Sequence, residues 1–361
     1  MRSPLADTLP NPSFRPALAG AFSLILMLAG CGDESVVDVS APADRESDLP
    51  GLMLLAPTKP PSDDLLAVVD TDPNGNPVGA SRDDITVPSA GGLKRFGVMP
   101  HLGDLDTMVE RRVIRVLTVY GPGRYFLEEG PQGSVQEYAN KLQKVVNKAY
   151  KTGLLTVQVA VIPVSRDQLF PALEAGYGDI VMAGTTITES REAAVDFTNP
   201  VSKPLTEILI TGPSAPPIGR LEDLSGKTVY VRVSSSYAES VRRLSKRLTD
   251  EGKAGIRIEA IDESLEDEDL IEMVNAGLLP WAIVDSYKPQ MWREVFTRVS
   301  VREDLVLREG ARLAWAIRQD SPRLKQFLNT FLKDNREGTL FGNIIRNRYI
   351  RDFDWAENAA G

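Results

Sequence analysis

Apolar positions along this chain follow two regimes that meet near residue 108. Beyond that point, short apolar runs of strand length at 113–119, 154–164, 179–183, 227–232, 256–260, 281–285 and 312–317 predict strands. Between them, apolar residues recur every three to four positions over 136–150, 166–175, 237–248, 268–276 and 323–332, which predicts helices. Strand and helix in alternation imply an α/β architecture of mostly parallel sheets flanked by helices. Ligands on such sheets gather beyond the carboxyl ends of the strands, where helix N-termini point. Residues 31–108 have no lasting period, only short apolar patches at 52–55 and 65–69 among Pro, Gly, Ser and Asp. That composition buries too little apolar surface to offset chain entropy and predicts a flexible acidic tether.

The 361 residues carry a formal charge of -9, so there is no basic surplus to displace counterions from a nucleic-acid backbone. One cysteine and one histidine exclude an intrachain disulfide and a zinc-type cluster, and no cofactor is expected. At the N-terminus, Arg2 and Arg15 precede an apolar run, 17–28, too short to span a bilayer, so 1–30 reads as a signal peptide. Leu28-Ala29-Gly30-Cys31 resembles the lipobox cut by lipoprotein signal peptidase after the thiol is diacylated. The other reading is a buried free cysteine in a core helix. An unpaired thiol in an exported chain needs an explanation, and lipidation of Cys31 supplies one. The expected location is the cell envelope, anchored and periplasm-facing. Gly32 after Cys31, where aspartate would favour inner-membrane retention, points to the outer membrane.

Candidate chemistry is concentrated at 178–200, where a strand ends in Ala183-Gly184, a threonine-rich turn follows, and Thr188 can cap a short helix containing Arg191. Hydroxyls, backbone N–H groups and one guanidinium could then converge. A guanidinium can hold a carboxylate through two parallel hydrogen bonds, although Arg191 reads equally as a solvated arginine beside a capped helix. A second cluster, 226–237, reads as strand, turn and helix start, with Ser234, Ser235 and Ser236 placed either to bind a polar group or simply to cap. Asp285 ends an apolar strand, where a carboxylate is costly unless paired; capping the next helix is the alternative. Tyr120 and Tyr125 could stack on a ligand or pack in the core. The acidic run 262–269 lacks calcium-loop spacing and reads as a solvated helix entry. With no Gly-x-Ser-x-Gly elbow and only His101 as a base, a serine nucleophile is not expected.

The segment Gly184-Thr185-Thr186-Ile187-Thr188-Glu189-Ser190-Arg191, followed by Val195-Asp196-Phe197-Thr198-Asn199-Pro200, resembles the hallmark stretch of family 3 periplasmic solute-binding proteins. The resemblance implies a type II clamshell of two lobes joined by two crossovers, near 208–212 and 306–312. Lobe 1 would take 109–210 plus 311–350, lobe 2 would take 211–310, and 351–361 would form a C-terminal tail. It also implies that Thr186 and Arg191 bind an amino-acid carboxylate, with Gly184 adding a backbone group. The serine turn would line the second lobe, and Asp285 would take the ligand's ammonium.

Over 113–355 the chain is more specifically similar to the non-catalytic part of the membrane-bound lytic murein transglycosylase F family. The stretches that carry this are 210–213, 230–237, Leu265-Glu266-Asp267-Glu268-Asp269-Leu270 and Gly338-Thr339-Leu340-Phe341-Gly342-Asn343. The catalytic glutamate of that family sits in a Glu-Ser pair on a long apolar helix. Here Glu189-Ser190 and Glu263-Ser264 lie elsewhere, so no glycan cleavage is expected. The favoured expectation is a non-enzymatic, lipid-anchored binding or sensor protein for an amino acid or peptide-like ligand, including cell-wall fragments. A permease or a cell-wall enzyme is the expected partner. The alternatives are the regulatory portion of a lytic transglycosylase, or the substrate-binding component of an ABC transporter.

Overall fold

The computed structural model describes residues 99–128 and 130–351, all within the unit Pro61–Gly361. Cys31, the signal peptide 1–30, the tether up to 98 and all of the tail beyond Arg351 lie outside the described residues. The first strand, Val113–Thr118 (β1), is buried on both faces, and its one charged residue, Arg115, is paired with buried Asp179. Ile114 and Val116 enter one apolar cluster, while Leu117 enters another on the opposite face. A short hairpin, Phe126–Leu127 (β2) with Pro131–Gln132 (β3), leads into the helix Ser134–Tyr150 (α1).

The first lobe is completed by Gln158–Pro163 (β4), Leu169–Glu174 (α2), Ile180–Thr186 (β5), Glu189–Glu192 (α3) and Asp196–Phe197 (β6). The next strand, Leu205–Thr211 (β7), lies in the other lobe's sheet. That lobe holds Thr228–Val231 (β8), Ser236–Asp250 (α4), Arg257–Ala260 (β9), Asp267–Ala276 (α5), Trp281–Asp285 (β10), Lys288–Trp292 (α6) and Ser300–Ala311 (β11). The chain then returns to the first lobe through Leu313–Ile317 (β12), Pro322–Asn335 (α7) and Leu340–Arg346 (α8).

The first sheet has the order β4-β1-β5-β12-β6, parallel through β4, β1 and β5, and antiparallel where β12 joins. In the second lobe β10, β7 and β11 form an antiparallel sheet, while β8 and β9 pair in parallel. Strand β10 shows the same two-sided burial as β1: Trp281 and Ile283 enter one cluster, Ala282 and Val284 the other.

Three differences from the sequence expectations have physical causes. Order begins before Val113, and the last ten residues assigned to the tether are tied to the first lobe, by hydrogen bonds to the backbone along 99–103 and by burial of Leu105 and Met108. Leu105–Glu110 forms a helix whose Leu105 and Met108 are buried, three positions apart on one face. Asp104 caps it by accepting from Leu105 N at 2.7 Å, and also accepts from Arg323 N and Leu324 N at 2.8 Å each, so it serves two helix starts. The carbonyls of Met99, His101 and Gly103 take hydrogen bonds from Arg115 and Arg318. Those two arginines, with Arg111, surround the fully buried carboxylate of Asp179.

The expected strand at 154–164 starts late, at Gln158, because Leu154 and Leu155 are exposed after the left-handed end of α1 at Lys151. Finally, β7 and β11, expected only as crossovers, are full strands. In β11 the charged residues on its exposed positions masked the apolar alternation.

Candidate functional site

The carboxyl end of β5 and the turn after it face the N-terminus of α4 and the end of β10. Gly184, Thr186 and Arg191 from the first lobe and Ser234, Ser235, Ser236 and Asp285 from the second line one cavity. Gly184 adopts φ +63°, a conformation that favours glycine. Thr188 caps α3 as expected, in contact with Arg191 N at 3.4 Å.

Arg191 is held across the cleft. Its Nη1 donates to the Thr186 carbonyl at 2.8 Å, its Nη2 to the Ser234 carbonyl at 2.9 Å, and the guanidinium lies 5.2 Å from the centre of the Phe170 ring. Burial pushes its pKa down to about 10, which leaves it a cation at neutral pH. Ser235 caps α4, accepting from Ala238 N at 3.2 Å, while Ser236 Oγ lies 3.3 Å from Thr186 Oγ1 in the other lobe. Ser234 donates to Glu263 from both its N and its Oγ.

Asp285 ends β10 and is 4 % exposed. Its N donates to Tyr237 Oη at 3.1 Å, but its Oδ1 is buried with no hydrogen-bond partner. Burial, together with the nearby carboxylates of Asp267 and Glu207, pushes its pKa up to about 7.

The acidic run is not a solvated helix entry. Glu266, Asp267 and Glu268 are buried, and each meets a cation: Arg166, Arg232 and Lys288 respectively. Three carboxylates at the start of α5 suit the helix dipole, and partners from several elements let them leave water. Arg232 and Lys288 hold the Asp267 carboxyl well below the usual carboxylate range against its burial. Nothing in local spacing signals those partners, because they lie 20 to 100 residues away.

The two lobes are closed on each other. Arg166 Nε and Nη2 donate to Glu266 at 2.8 and 2.5 Å, and Glu239 accepts from Ser190 at 2.6 Å and from Thr188 at 3.1 Å. About 30 Å³ remains among the side chains, room for one or two waters.

Neither Tyr120 nor Tyr125 lines this cavity. Tyr120 is 55 % exposed and Tyr125 is buried. The bridge between Gly121 and Tyr125 closes a tight turn, and it is Arg124 from that turn that reaches the cavity. Arg124, Arg166 and Lys288 were not singled out in the sequence. Among the described residues no group of three His, Cys, Asp or Glu side chains could hold a metal ion, and no helix is long and apolar enough to cross a membrane.

Two α/β lobes, two strands passing between them and a polar cavity at their junction define a type II periplasmic-binding-protein clamshell. Solved structures of that fold superpose on it. A mutant of ArgBP from T. maritima matches with a TM-score of 0.55 and 20% identity, over 68% of this chain and 99% of its own. An ancestral arginine-binding protein bound to arginine matches at 0.52 and 23%, over 66% and 98%.

Residues 114–350 match the model of bacterial extracellular solute-binding proteins, family 3, and the chain belongs to that family. Among curated proteins it is similar to "Membrane-bound lytic murein transglycosylase F" of Desulfosudis oleivorans, 27% identical over 68% of this chain and 50% of that one. The protein of the same name from Alteromonas mediterranea is 26% identical over 71% and 54%. The chain thus spans about half the length of these relatives.

Proposed function

We propose that this chain is a lipid-anchored solute-binding protein of the cell envelope whose lobes close on an amino acid or a peptide-like ligand, cell-wall fragments included. The observation that carries the reading is that Arg191 and Asp285, from opposite lobes, line one cavity, and that Asp285 keeps a buried oxygen without a partner. A guanidinium suits a carboxylate and an isolated carboxylate suits an ammonium, which together describe the two ends of an amino acid. Thr186, Gly184 and the serine turn 234–236 supply the neutral hydrogen-bonding groups around them.

About 30 Å³ cannot hold an amino acid, so uptake begins with opening, and the ligand then substitutes for contacts such as Arg191 to the Ser234 carbonyl. Binding is in this sense a shift of an open and closed equilibrium about β7 and β11. Calorimetry with amino acids and stem peptides tests the reading. Arg191→Ala should weaken binding by ~10-fold or more, as loss of a charge-assisted pair does. Equal affinity in both proteins would refute the role given to Arg191.

The similarity to half of the lytic transglycosylases supports a second reading, in which the same module regulates a cell-wall enzyme. The chain itself should release no anhydro-muropeptides from peptidoglycan. Release of such products would show an activity that neither reading allows.

A further inference from the structure

Resting on the reading of the cleft as an amino-acid site, we infer that its ligand carries a second acidic group, and that Arg124 receives it. The argument is a matter of pairing. Five cations line the cavity, and three of them are matched by consecutive acids of one turn: Arg166 by Glu266, Arg232 by Asp267 and Lys288 by Glu268. Behind the cavity Glu207 and Glu239 both meet Arg308.

What remains without an ion-pair partner within 4 Å is Arg124, Arg191 and Asp285. Arg191 at least donates to two backbone carbonyls. The half-buried guanidinium of Arg124 makes no hydrogen bond or ion pair to any described residue. Among the side chains that line the cavity, two cations and one anion are thus left over, with Glu207 and Glu239 sharing Arg308 behind them; this lining complements two carboxylates and one ammonium, the charge pattern of an acidic amino acid and of a peptide fragment that ends in one.

The backbone of Arg124 is held in place by the turn that Gly121 and Tyr125 close, with Arg124 N donating to the Gly121 carbonyl at 3.1 Å. Its Nη1 rests where a side chain at 184 would have to go: a Cβ on Gly184 would sit 2.8 Å from it. The left-handed glycine at 184 therefore leaves the space through which Arg124 reaches the end of β5. The two features occupy one corner of the cavity, on the first-lobe side that also holds Arg191. A ligand bound by Arg191 at one carboxylate can present its other acidic group to Arg124 without crossing to the second lobe.

The test is calorimetry on the wild-type chain with L-glutamate, D-glutamate and L-aspartate, each set against L-glutamine and L-arginine, and repeated on Arg124→Met. Arg124 has no side-chain hydrogen bond or ion pair to lose, only a longer-range attraction to Glu266, and methionine keeps much of its apolar stem. The expected result is an acidic amino acid preferred over glutamine by ~10-fold or more, falling toward parity in Arg124→Met because the acid loses more affinity than glutamine does. A preference for the acid that survives Arg124→Met would overturn the assignment of Arg124. Neutral or basic amino acids bound as tightly as acidic ones, and lost in Arg191→Ala, would overturn this inference while leaving the amino-acid site standing. If no amino acid binds, both readings fail.

Discussion

Replacing Asp285 by asparagine should make the protein more stable above neutral pH and worse at binding. In the folded chain this carboxyl titrates near pH 7 rather than at its ordinary 3.8, because it is buried and faces Asp267 and Glu207. Between those two pH values the folded state holds a proton that the unfolded state has released, so stability falls as pH rises, and the loss is complete once pH passes about 7. At ~1.4 kcal/mol per unit, ionised Asp285 destabilises the fold by on the order of 4 kcal/mol at pH 8 and by under about 2 kcal/mol at pH 5. Asparagine copies the shape and hydrogen-bonding capacity of the protonated acid but does not titrate. Urea denaturation at a series of pH values reads the difference directly. The stability gained by Asp285→Asn should grow by ~2–3 kcal/mol between pH 5 and pH 8 and be flat beyond. A gain that is independent of pH, or a loss at pH 8, would show that Asp285 is not carrying an uncompensated charge. The same substitution should weaken amino-acid binding, since the partnerless oxygen is the proposed ammonium acceptor. Stability and function then oppose one another at one atom.

Two further outcomes concern closure and anchoring. Glu266→Gln removes the charge that Arg166 meets across the lobes, and should shift the open and closed equilibrium toward open by roughly 10-fold or more. Amide hydrogen exchange at 184–191 and 232–239 would rise accordingly, and unchanged protection there would mean that the remaining contacts close the cleft without it. For the proposed lipid anchor, Cys31→Ser should abolish incorporation of labelled fatty acid and block the cut before residue 31, leaving the unprocessed precursor. A processed variant that stays membrane-bound would count against Cys31 as the attachment point.

The alternation of apolar runs made the α/β character legible, because β1 and β10 are buried on both faces and are uncharged apart from Arg115, which is paired with buried Asp179, and the terminal Asp285. Strand β11 was illegible as a strand for the opposite reason: Arg302, Glu303, Asp304, Arg308 and Glu309 face outward or into ion pairs, and the apolar side of the strand shows through only at scattered positions. The helix at Leu105 was hidden by composition. Its neighbours are proline and glycine, and its stability comes from long-range contacts, with Asp104 reaching the start of α7 more than two hundred residues away.

The candidate site divides in the same way. Gly184, Thr186, Arg191 and the serine turn stand in contiguous motifs, so the sequence brings them to view together, and the fold places them on one cavity. The cations opposite Glu266, Asp267 and Glu268 come from three different elements, and a run of acids looks solvated until those partners are placed beside it. Only with those acids paired to Arg166, Arg232 and Lys288 do Arg124 and Arg191 stand out as the lining cations left without an ion pair.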